Sequence, residues 1–394
     1  METKYIIKSL LETDMYKCSM QQAVLHNFPK THVKVEFKCR SNVALGYLKP
    51  AVDKELDHLC QLRFNKDELD YLRSIRYLSS DYIDYLKMFQ LDREHIKTGV
   101  DENGQLTIVA EGPWREVIMF EIPCLAIVQE LYMADKNVDM AYAESALMDK
   151  IIKFRQASTK YNFKLSDFGL RRRFSSDWQD HVVKTFTDYC PEFFVGTSNV
   201  YLAKKYNIKP IGTFAHEWFG GIQGENIRIS EVQKYALDIW AKEYRGELGI
   251  ALSDNFGFRA FLNDFDKYFA KLFDGCRHDS GCPFKWGEML INHFKSLGID
   301  PKTKTACWSD ALDPDKAIEL AKTFHDRINV TFGIGTNLTC DVGFKPASIV
   351  MKVVESNGKP VCKISDAPGK GMCKDSQYVE YVKQQYNYKS IDED

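Results

Sequence analysis

The sequence predicts an α/β protein built on an irregular parallel βα barrel, with an additional α+β domain formed by the N-terminal and C-terminal segments. From about residue 140, short apolar segments alternate with helical segments, which is typical of repeated βα units and a parallel sheet. Polar and glycine residues gather at seven junctions where a predicted strand meets the following helix, the edge at which barrel enzymes place their active sites. A barrel therefore fits this pattern better than an open sheet.

The length predicts more than one domain. A chain of 394 residues exceeds the size, about 250 to 300 residues, at which single cores stop growing. The change in pattern places an α+β domain at residues 1–135 and the barrel at residues 136–345. Residues 346–394 contain strand-like segments again, at 347–355 and 359–365, and are expected to rejoin the N-terminal domain.

Within the first domain, Val33, Val35 and Phe37 alternate with charged residues, which predicts a half-buried strand. Residues 106–110 and 117–120, separated by a Gly-Pro turn, predict a hairpin. The apolar stretch 117–131 contains two glutamates and a proline. It is too short and too charged for a membrane span and is expected to be a core element.

Composition excludes several classes of protein. The 53 basic and 55 acidic residues nearly balance, so no broad cationic face for nucleic acid is expected. The 11 cysteines include no CxxC pair, which favours reduced thiols over a disulfide framework or a zinc knuckle. No signal-peptide pattern follows Met1. These features predict a cytoplasmic protein without a membrane segment.

His216 is the main candidate for chemistry. The apolar run at residues 208–215 is interpreted as a strand that ends at His216-Glu217, with small residues at Gly212, Thr213 and Ala215 that leave room for a ligand. An imidazole there can titrate, bind a metal or accept a phosphoryl group. The alternative is a structural histidine that is hydrogen-bonded to a buried carbonyl.

Other strand ends carry groups suited to a phosphorylated sugar. The glycine-rich stretch at Gly333, Gly335 and Thr336 can wrap a phosphate with backbone N–H groups, or be a plain turn. Asp279 and Asp310 can accept hydrogen bonds from sugar hydroxyls or hold Mg²⁺ through water, or can simply cap helices.

A basic cluster follows the strand that ends at Asp167. Arg171, Arg172 and Arg173 could supply a guanidinium for a carboxylate, and Phe168 offers a ring face for a flat heteroaromatic compound. A solvent-exposed basic turn is the alternative for at least one of the three arginines.

Together these segments resemble a known family. Motifs closely similar to those of the nicotinate phosphoribosyltransferase family run in order from residue 14 to about residue 373. They are Asp14-Met-Tyr16-Lys, Phe37-Lys-Cys-Arg40, Asp167-Phe-Gly-Leu-Arg171, Gly196-Thr-Ser-Asn199, Gly212-Thr-x-Ala-His-Glu-Trp218, Arg277-x-Asp-Ser-Gly281 and Gly333-Ile-Gly-Thr-Asn337. The resemblance implies a type II phosphoribosyltransferase-like barrel.

The resemblance also implies a reaction. Nicotinate would displace pyrophosphate from 5-phosphoribosyl 1-pyrophosphate and give nicotinate mononucleotide, a step of NAD biosynthesis, with ATP as co-substrate and Mg²⁺ as cofactor. His216 would be phosphorylated by ATP, and Glu217 and Arg277 would share the catalytic role. The substrate-binding residues implied in this way are Tyr16, Arg40, Phe168, Arg171, Thr197, Ser198, Asp254, Asp279, Ser309, Asp310, Gly333, Gly335, Thr336 and Lys345.

Within this assignment, Tyr16 and Phe168 are expected to stack on the pyridine ring, and the 5′-phosphate is expected at Gly333, Gly335 and Thr336. In related enzymes Tyr16 and Arg40 come from the neighbouring protomer, which implies a homodimer. No set of protein residues is predicted to form a dedicated metal site.

Three alternatives to nicotinate transfer remain open. Nicotinamide-using relatives carry an aspartate at the position of Ser198, where it would repel a carboxylate, so serine favours the acid over the amide. A metal-dependent barrel hydrolase could use His216, His278, Asp254 and Asp279, although it would lack a paired His-x-His at the first strand. A catalytically silent phosphate-binding protein is the third.

Overall fold

The computed structural model describes residues 5–366, 371 and 373–393. The strands, in chain order, are β1 His32–Cys39, β2 Ile96–Val100, β3 Leu106–Pro113, β4 Lys164–Asp167, β5 Phe194–Thr197, β6 Lys209–Pro210, β7 Ile250–Leu252, β8 Gly275–His278, β9 Thr305–Trp308, β10 Asn329–Ile334, β11 Ile349–Ser356 and β12 Lys359–Pro360.

The helices, in chain order, are α1 Met15–Asn27, α2 Lys49–Leu59, α3 Lys66–Ser74, α4 Ser80–Met88, α5 Trp114–Val117, α6 Glu121–Ala134, α7 Met140–Ser158, α8 Ser176–Tyr189, α9 Val200–Tyr206, α10 His216–Ile222, α11 Val232–Tyr244, α12 Phe258–Asp264, α13 Lys267–Leu272, α14 Pro283–Ser296, α15 Pro314–Phe324, α16 Thr336–Thr339 and α17 Ser376–Gln385.

The chain forms two compact units. The first contains residues 1–152, 166–212 and 335–352, and the second contains residues 153–165, 213–334 and 353–394. These units divide the chain at positions other than 135 and 345, so the domain boundaries taken from the sequence remain a prediction.

The first unit contains the antiparallel strands of the N-terminal region. β3 pairs with β1, with Val35 opposite Ala110, and also with β2, with Thr98 opposite Ile108. The alternating strand predicted around Val33, Val35 and Phe37 is confirmed as β1, and all three of these side chains are buried.

The predicted hairpin between residues 106–110 and 117–120 is wrong. The real hairpin joins β2 to β3, while Val117 ends the short helix α5 and Phe120 immediately precedes α6. Short apolar runs do not distinguish a buried strand from a buried helix, and Pro123 is tolerated in the first turn of α6.

The apolar stretch around α6 is a core element, as expected from its glutamates and proline. The expectation that this stretch is too short and too charged to cross a membrane is wrong, because residues Trp114–Ala134 are long and apolar enough by composition alone. Most of the segment is buried within the protein, however. Its fully buried members include Ile122, Cys124 and Ile127. Such burial is what a core helix of a folded domain shows.

Parallel strands alternate with helices in both units. In the first unit β4, β5 and β6 follow one another in the sheet, and Gly196 of β5 lies opposite Lys209 of β6. In the second unit β7, β8, β9 and β10 are paired in sequence order. Among the described residues seven strands are parallel, one fewer than in a regular eight-stranded barrel. The predicted α/β class with an additional α+β region is confirmed.

The chain after residue 345 begins beside β1 in the first unit. The Arg40 N–H donates to the Ser348 carbonyl at 2.7 Å, and the Ser348 N–H donates to Ser41 Oγ at 2.7 Å. β11 and β12 form the predicted hairpin, with Ser356 opposite Lys359, although β12 has only two residues. The sequence Pro-Gly-Lys-Gly at residues 368–371 predicts a loop, and residues 368–370 of it lie outside the described residues.

A buried ion pair joins three segments of the first unit. Arg173 is 1 % exposed, and its Nε donates to Glu130 Oε1 at 2.6 Å while its Nη2 donates to Glu12 Oε2 at 2.9 Å. Of the three consecutive arginines, Arg173 is thus a structural residue and not part of an exposed basic turn. The single Arg173 guanidinium pairs with two carboxylates on separate segments, so the burial of both carboxylates depends on it.

We expect Arg173→Ala to destabilise the protein by about 3–5 kcal/mol, because it leaves Glu12 and Glu130 buried without their cation. Urea denaturation followed by circular dichroism measures the change. The matched control is Lys205→Ala, which removes a solvent-exposed pair with Asp180 and should cost less than about 1 kcal/mol. Equal losses in the two variants would contradict the structural role of Arg173.

Candidate active site

His216 is held in place by the aromatic residues on either side of it. It is the first residue of α10, and the neighbouring Phe214 and Trp218 are fully buried against Trp240, with ring centroids 4.7 and 5.4 Å away. The Trp218 indole N–H also donates to the Ala236 carbonyl at 3.0 Å. This packing leaves the half-buried imidazole at the start of the helix, with little freedom in its backbone.

The strand predicted at residues 208–215 is largely wrong, because only Lys209–Pro210 is strand. Beyond it the chain runs close to α1, where a Cβ atom on Gly212 would lie 2.7 Å from the Tyr16 nitrogen. The small residue there makes room for the chain itself and not for a ligand. The sequence pattern alone does not show whether a glycine makes room for a ligand or for another part of the chain.

Two aspartates flank the imidazole in the second unit. His216 Nε2 lies 2.8 Å from Asp254 Oδ1, and Nδ1 lies 3.6 Å from Asp279 Oδ2. Asp254 is 1 % exposed, and its other oxygen accepts a hydrogen bond from Ser280 Oγ at 2.6 Å and pairs with Lys363 Nζ at 3.2 Å. Asp254, a predicted substrate ligand, is thus fully engaged by protein groups.

The electrostatics of this cluster favour a neutral imidazole beside an ionised aspartate. Burial and the nearby Lys363 lower the pKa of His216 to about 4, although Asp254 and Asp279 act in the opposite direction. Burial works against ionisation of Asp254 too, yet Lys363 and His216 hold its pKa well below the usual range. Because Lys363 and Ser280 also bind Asp254, its charge does not suffice to keep the buried imidazole protonated near neutral pH.

This geometry selects one tautomer of the ring. A neutral histidine has one N–H donor and one lone pair. The 2.8 Å contact places the donor on Nε2 facing Asp254, since the 3.6 Å separation at Nδ1 is too long for a hydrogen bond. Nδ1 therefore keeps its lone pair and can act as a nucleophile.

Arg277 and Ser309 complete this side of the second unit. Among the described residues Arg277 Nε is buried with no hydrogen-bond partner, so it is a donor available to a ligand. Ser309 Oγ donates to the His278 carbonyl at 3.0 Å and lies 3.3 Å from Asp279 Oδ1. Although burial opposes it, His216 and Arg277 lower the pKa of Asp279. Asp310 is half-buried one residue further along the chain.

The cluster does not form a cage for a metal ion. Ligand atoms of His216, Asp254 and Asp279 lie within 4.8 Å of one another. The Lys363 ammonium group, however, already neutralises Asp254, and His278, the further ligand of the hydrolase hypothesis, lies against the Gly281 carbonyl at 3.1 Å. An ion such as Mg²⁺ prefers oxygen ligands, keeps several waters and binds substrate phosphates, so Asp279 fits it as a partner through water.

A second cluster of charged residues lies in the first unit. Arg171 Nε is 3.9 Å from Asp14 Oδ2, and Arg171 Nη1 is 3.4 Å from Glu121 Oε1, while the fully buried Lys17 pairs with Glu121 at 2.6 Å. The Arg171 side chain is 42 % exposed, so part of its guanidinium faces open space. Ser198, predicted to contact substrate, donates from Oγ to Asp14 Oδ1 at 2.6 Å and is buried.

The pKa values of two carboxyl groups in this second cluster are shifted in opposite directions. Burial raises the pKa of Asp14, although Arg171 and Ser198 favour its ionised form. Burial also opposes ionisation of Glu121, but Lys17 and Arg171 hold its pKa below the usual value. Glu121 is therefore the permanent counter-charge of Arg171.

The residue before Tyr16 contacts Ser198 within one chain. The Met15 N–H donates to the Ser198 carbonyl at 2.8 Å, and burial raises the pKa of Tyr16 well above its ordinary value. The resemblance implied that Tyr16 comes from a neighbouring protomer. The contact between Met15 and Ser198 needs no second chain.

The loop that carries Phe168 packs tightly against the glycine-rich stretch. A Cβ atom on Gly335 would lie 2.9 Å from the Phe168 carbonyl oxygen, so any larger residue there would displace the Phe168 backbone. Thr339 Oγ1 donates to the Gly169 carbonyl at 3.0 Å. The half-buried Phe168 and Thr336 thus lie on neighbouring segments of the first unit.

Thr197 is used by the protein itself. Its hydroxyl donates to Asp167 Oδ2 at 2.7 Å, and Gln179 Nε2 donates to the same oxygen at 2.8 Å. Burial raises the pKa of Asp167 to about 6 in spite of these hydrogen bonds. The described contacts of Thr197 position the loop after β5, and its contact with substrate stays a prediction.

The remaining predicted residues lie at the following positions. Glu217 is half-buried next to His216 on α10, Gly333 is buried in β10, Arg40 is half-buried after β1, and Lys345 is exposed. Their roles stay predictions.

Sequence reasoning missed three residues that the fold brings to these clusters. Lys363 lies almost 110 residues beyond Asp254 along the chain, Ser280 follows a residue already singled out, and Glu121 begins α6 directly after the run 117–120 that was interpreted as a strand. Only the motif around Ser280 offered a signal, because its hydroxyl follows Asp279 directly. Pairings over such distances have no local pattern.

Comparison with known proteins identifies the family. Residues 163–390 match the sequence pattern described as the nicotinate phosphoribosyltransferase (NAPRTase) family, and residues 11–129 match its N-terminal domain. The chain belongs to the nicotinate phosphoribosyltransferase family. A nicotinate phosphoribosyltransferase from Acinetobacter baumannii is 49% identical over 98% of this chain and 99% of its own length. One from Chromobacterium violaceum is 47% identical over 98% of each chain.

Solved structures of the family agree with the fold. The crystal structure of nicotinate phosphoribosyltransferase from Vibrio cholerae superimposes with a TM-score of 0.94 and 38% identity, over 98% of this chain and 95% of that chain. The enzyme from Porphyromonas gingivalis gives a TM-score of 0.90 and 33% identity, over 97% and 100%. The resemblance inferred from motifs is confirmed, and neither alternative activity is favoured.

We expect the protein to lose stability as the pH falls from 6.5 to about 4. In the folded chain His216 stays neutral down to about pH 4, whereas in the unfolded chain it is protonated below its ordinary value of 6.5. The unfolded state therefore binds more protons in this window, and the cost reaches up to roughly 3 kcal/mol at its lower end.

The measurement is the melting temperature of the protein and of His216→Gln between pH 4.5 and 7.5. The His216→Gln variant lacks this titration, so its melting temperature should rise relative to that of the native protein as the pH decreases. Parallel pH dependences would contradict a depressed pKa for His216.

Proposed function

We propose that this chain transfers the phosphoribosyl group of 5-phosphoribosyl 1-pyrophosphate to nicotinate, with ATP hydrolysis coupled to turnover through phosphorylated His216. Family membership supports the transferase reaction. The observation that supports coupling to ATP hydrolysis is the neutral imidazole of His216. Its Nε2–H faces Asp254, while Nδ1 keeps its lone pair. Such a histidine is prepared to accept a phosphoryl group.

In the first step His216 Nδ1 attacks the γ-phosphorus of ATP. An N–P bond forms, the bond from the γ-phosphorus to the bridging oxygen breaks, and ADP leaves with the electron pair. No base is needed, because Nδ1 carries no proton. The ring becomes positively charged while it keeps Nε2–H, and Asp254 at 2.8 Å stabilises that charge. Asp254 is thus a catalytic partner whose own charge is held by Lys363.

Asp279 places a negative charge 3.6 Å from the reacting nitrogen and would repel an approaching phosphoryl group. A cation at this point removes that repulsion. Mg²⁺ carried by the phosphates could bind Asp279, and Asp310 after β9, through its waters. When bound, it would neutralise charge on the phosphates and on the departing pyrophosphate.

The second unit also supplies groups for the sugar diphosphate. Asp279, Ser309 and Asp310 are assigned to the ribose hydroxyls, and Arg277, whose buried Nε has no hydrogen-bond partner in the described part of the chain, is assigned to an anionic group of the substrates. Breaking the bond between C1 and pyrophosphate leaves positive charge on the ribose, so the carboxylates also stabilise that charge.

The first unit is assigned to nicotinate. Its flat ring would stack on Phe168 and Tyr16, and its carboxylate would bind Arg171, whose guanidinium is partly exposed. Because burial raises the pKa of Asp14, this group opposes a second carboxylate less than an ordinary aspartate would. The pyridine nitrogen already has a lone pair, so attack on C1 requires no proton transfer from the ring.

Phosphate groups are assigned to Gly333, Gly335 and Thr336 and to the basic residues Arg40 and Lys345. Burial lowers the pKa of Arg40, as expected where a guanidinium is partly removed from water.

We also propose that the protein is a homodimer and is located in the cytoplasm. The 11 free cysteines support that location.

We expect ATP to stimulate pyrophosphate release from nicotinate, 5-phosphoribosyl 1-pyrophosphate and Mg²⁺ in the native protein and not in His216→Ala. Acid-labile phosphate should appear on the native chain alone. His181→Ala is the matched control, because His181 is an exposed histidine paired with Glu144 and should keep full stimulation. If His216→Ala responds to ATP like the native protein, the phosphohistidine is excluded. If no protein turns over nicotinate, the transferase assignment falls as well.

We expect Ser198→Asp to lose nicotinate activity, with KM for nicotinate at least about tenfold higher than in Ser198→Asn. The two variants have the same size and both remove the hydroxyl that binds Asp14 at 2.6 Å, so their difference isolates the added charge. A tenfold change corresponds to about 1.4 kcal/mol of repulsion between carboxylates. Steady-state kinetics measure it, and equal KM values would exclude charge at this position as the basis of specificity.

A further inference from the structure

The C-terminal segment, defined here as residues 386–393, packs against two loops of the second unit. The Tyr386 ring stacks on Phe256 in the loop after β7, with centroids 4.2 Å apart and planes 10° from parallel. Tyr388 covers Gly257, where a Cβ atom would lie 2.7 Å from the ring. Ile391 covers Gly281 in the loop after β8, where a Cβ atom would lie 2.5 Å from its side chain.

These two glycines fit the covering segment closely. Gly257 and Gly281 have φ angles of 88° and 82°, in the region that favours glycine. Any side chain at either position would be strained and would also push the C-terminal segment away. The two loops carry Asp254 and Asp279, the carboxylates on either side of His216.

Asp366 joins the C-terminal segment to both loops. Its Oδ2 accepts a hydrogen bond from the Phe258 N–H at 2.8 Å, and its Oδ1 accepts one from the Ile391 N–H at 3.2 Å. The Asp366 N–H donates to Ser280 Oγ at 3.3 Å. The residue is 4% exposed, so few of these bonds can be replaced by water.

The hydrogen bonds continue to the histidine. Ser280 Oγ accepts from Asp366 and donates to Asp254 Oδ2 at 2.6 Å, and Asp254 Oδ1 accepts from His216 Nε2 at 2.8 Å. One connected path therefore runs from Ile391 through Asp366, Ser280 and Asp254 to the imidazole. Asp366 and Ile391 have no role in substrate binding or catalysis in the scheme above.

We propose that Asp366, held by the C-terminal segment, is a positioning residue that fixes Asp254 and hence directs Nδ1 of His216 toward the phosphoryl donor. This inference rests on the proposed phosphohistidine mechanism. An in-line attack tolerates little misplacement, since an error of about 1 Å can cost roughly a hundredfold in rate. A carboxylate that binds two backbone N–H groups at once fixes both segments relative to each other.

The experiment compares the full-length protein with Asp366→Asn and Ile391→Ala. Asparagine keeps the size but turns one acceptor into a donor, which conflicts with one of the two N–H groups. We expect ATP-stimulated kcat and the yield of phosphohistidine to fall together, at least about tenfold for Asp366→Asn. KM for nicotinate should stay within about twofold, because Tyr16, Phe168 and Arg171 belong to the first unit. Ile391→Ala, which keeps its N–H donor, should show the same changes to a smaller degree.

Asp266→Asn is the matched control. Asp266 is also an aspartate whose carboxylate accepts backbone N–H bonds, from Tyr268 and Phe269, but it lies at an exposed helix start. The Asp266→Asn variant should be less stable than the native protein but should retain ATP stimulation. Melting temperatures of all variants separate lost folding from lost positioning.

A spectroscopic readout tests the position of the ring directly. Long-range ¹H–¹⁵N correlation of ¹⁵N-histidine protein at pH 7.5 reports which ring nitrogen carries the proton. We expect the Nε2–H form of His216 in the native protein and a reduced fraction of it in Asp366→Asn.

The inference is overturned if Asp366→Asn keeps native ATP-stimulated turnover. It is also overturned if activity falls only in proportion to the folded fraction, with an unchanged histidine spectrum. Failure of the proposed mechanism looks different, since the native protein itself would then show no phosphohistidine and no ATP stimulation. In that case a variant spectrum that differs from the native one still supports the positioning of His216.

Discussion

The hydrogen bond between His216 and Asp254 is the interaction on which the arrangement of charges in the second unit depends. At 2.8 Å it selects the tautomer, and with it the ring nitrogen that keeps a lone pair. Asp254 serves this purpose because Ser280 and Lys363 occupy its other oxygen. An aspartate with no other partner would draw a proton onto the imidazole and remove the lone pair. The protein thus keeps a carboxylate next to a histidine and still leaves the histidine neutral.

In the first unit, other residues balance the charge of a partly exposed arginine. The Arg171 side chain is 42% exposed, and an isolated guanidinium beside buried groups would be costly. Glu121 compensates part of its charge and is itself held by the fully buried Lys17. Arg173, two residues further on, is completely buried with Glu12 and Glu130 and anchors the same loop. Two arginines only two residues apart therefore differ in burial: Arg173 is a structural residue, whereas Arg171 is partly exposed.

Errors in the sequence interpretation share one physical origin. Residues 117–120 and 208–215 are short apolar runs, and such runs are compatible with a strand, a buried helix or an extended loop. Val117 and Phe120 became parts of a helical region because their neighbours pack inward from a helix. Gly212 lies in a loop because the backbone of Tyr16 approaches it closely. For Gly212 the deciding contact comes from a distant part of the chain.

The sequence by itself determined the α/β class and the family, because βα alternation and the motifs around Asp167, His216 and Arg277 are local patterns. Tertiary structure decided which oxygen of Asp254 meets the imidazole, which of three consecutive arginines is buried, and that Lys363, Glu121 and Asp366 join these clusters. Those residues act through charges and hydrogen bonds over about 2.5 to 4 Å between segments far apart in sequence. Such contacts exist only once the chain has folded.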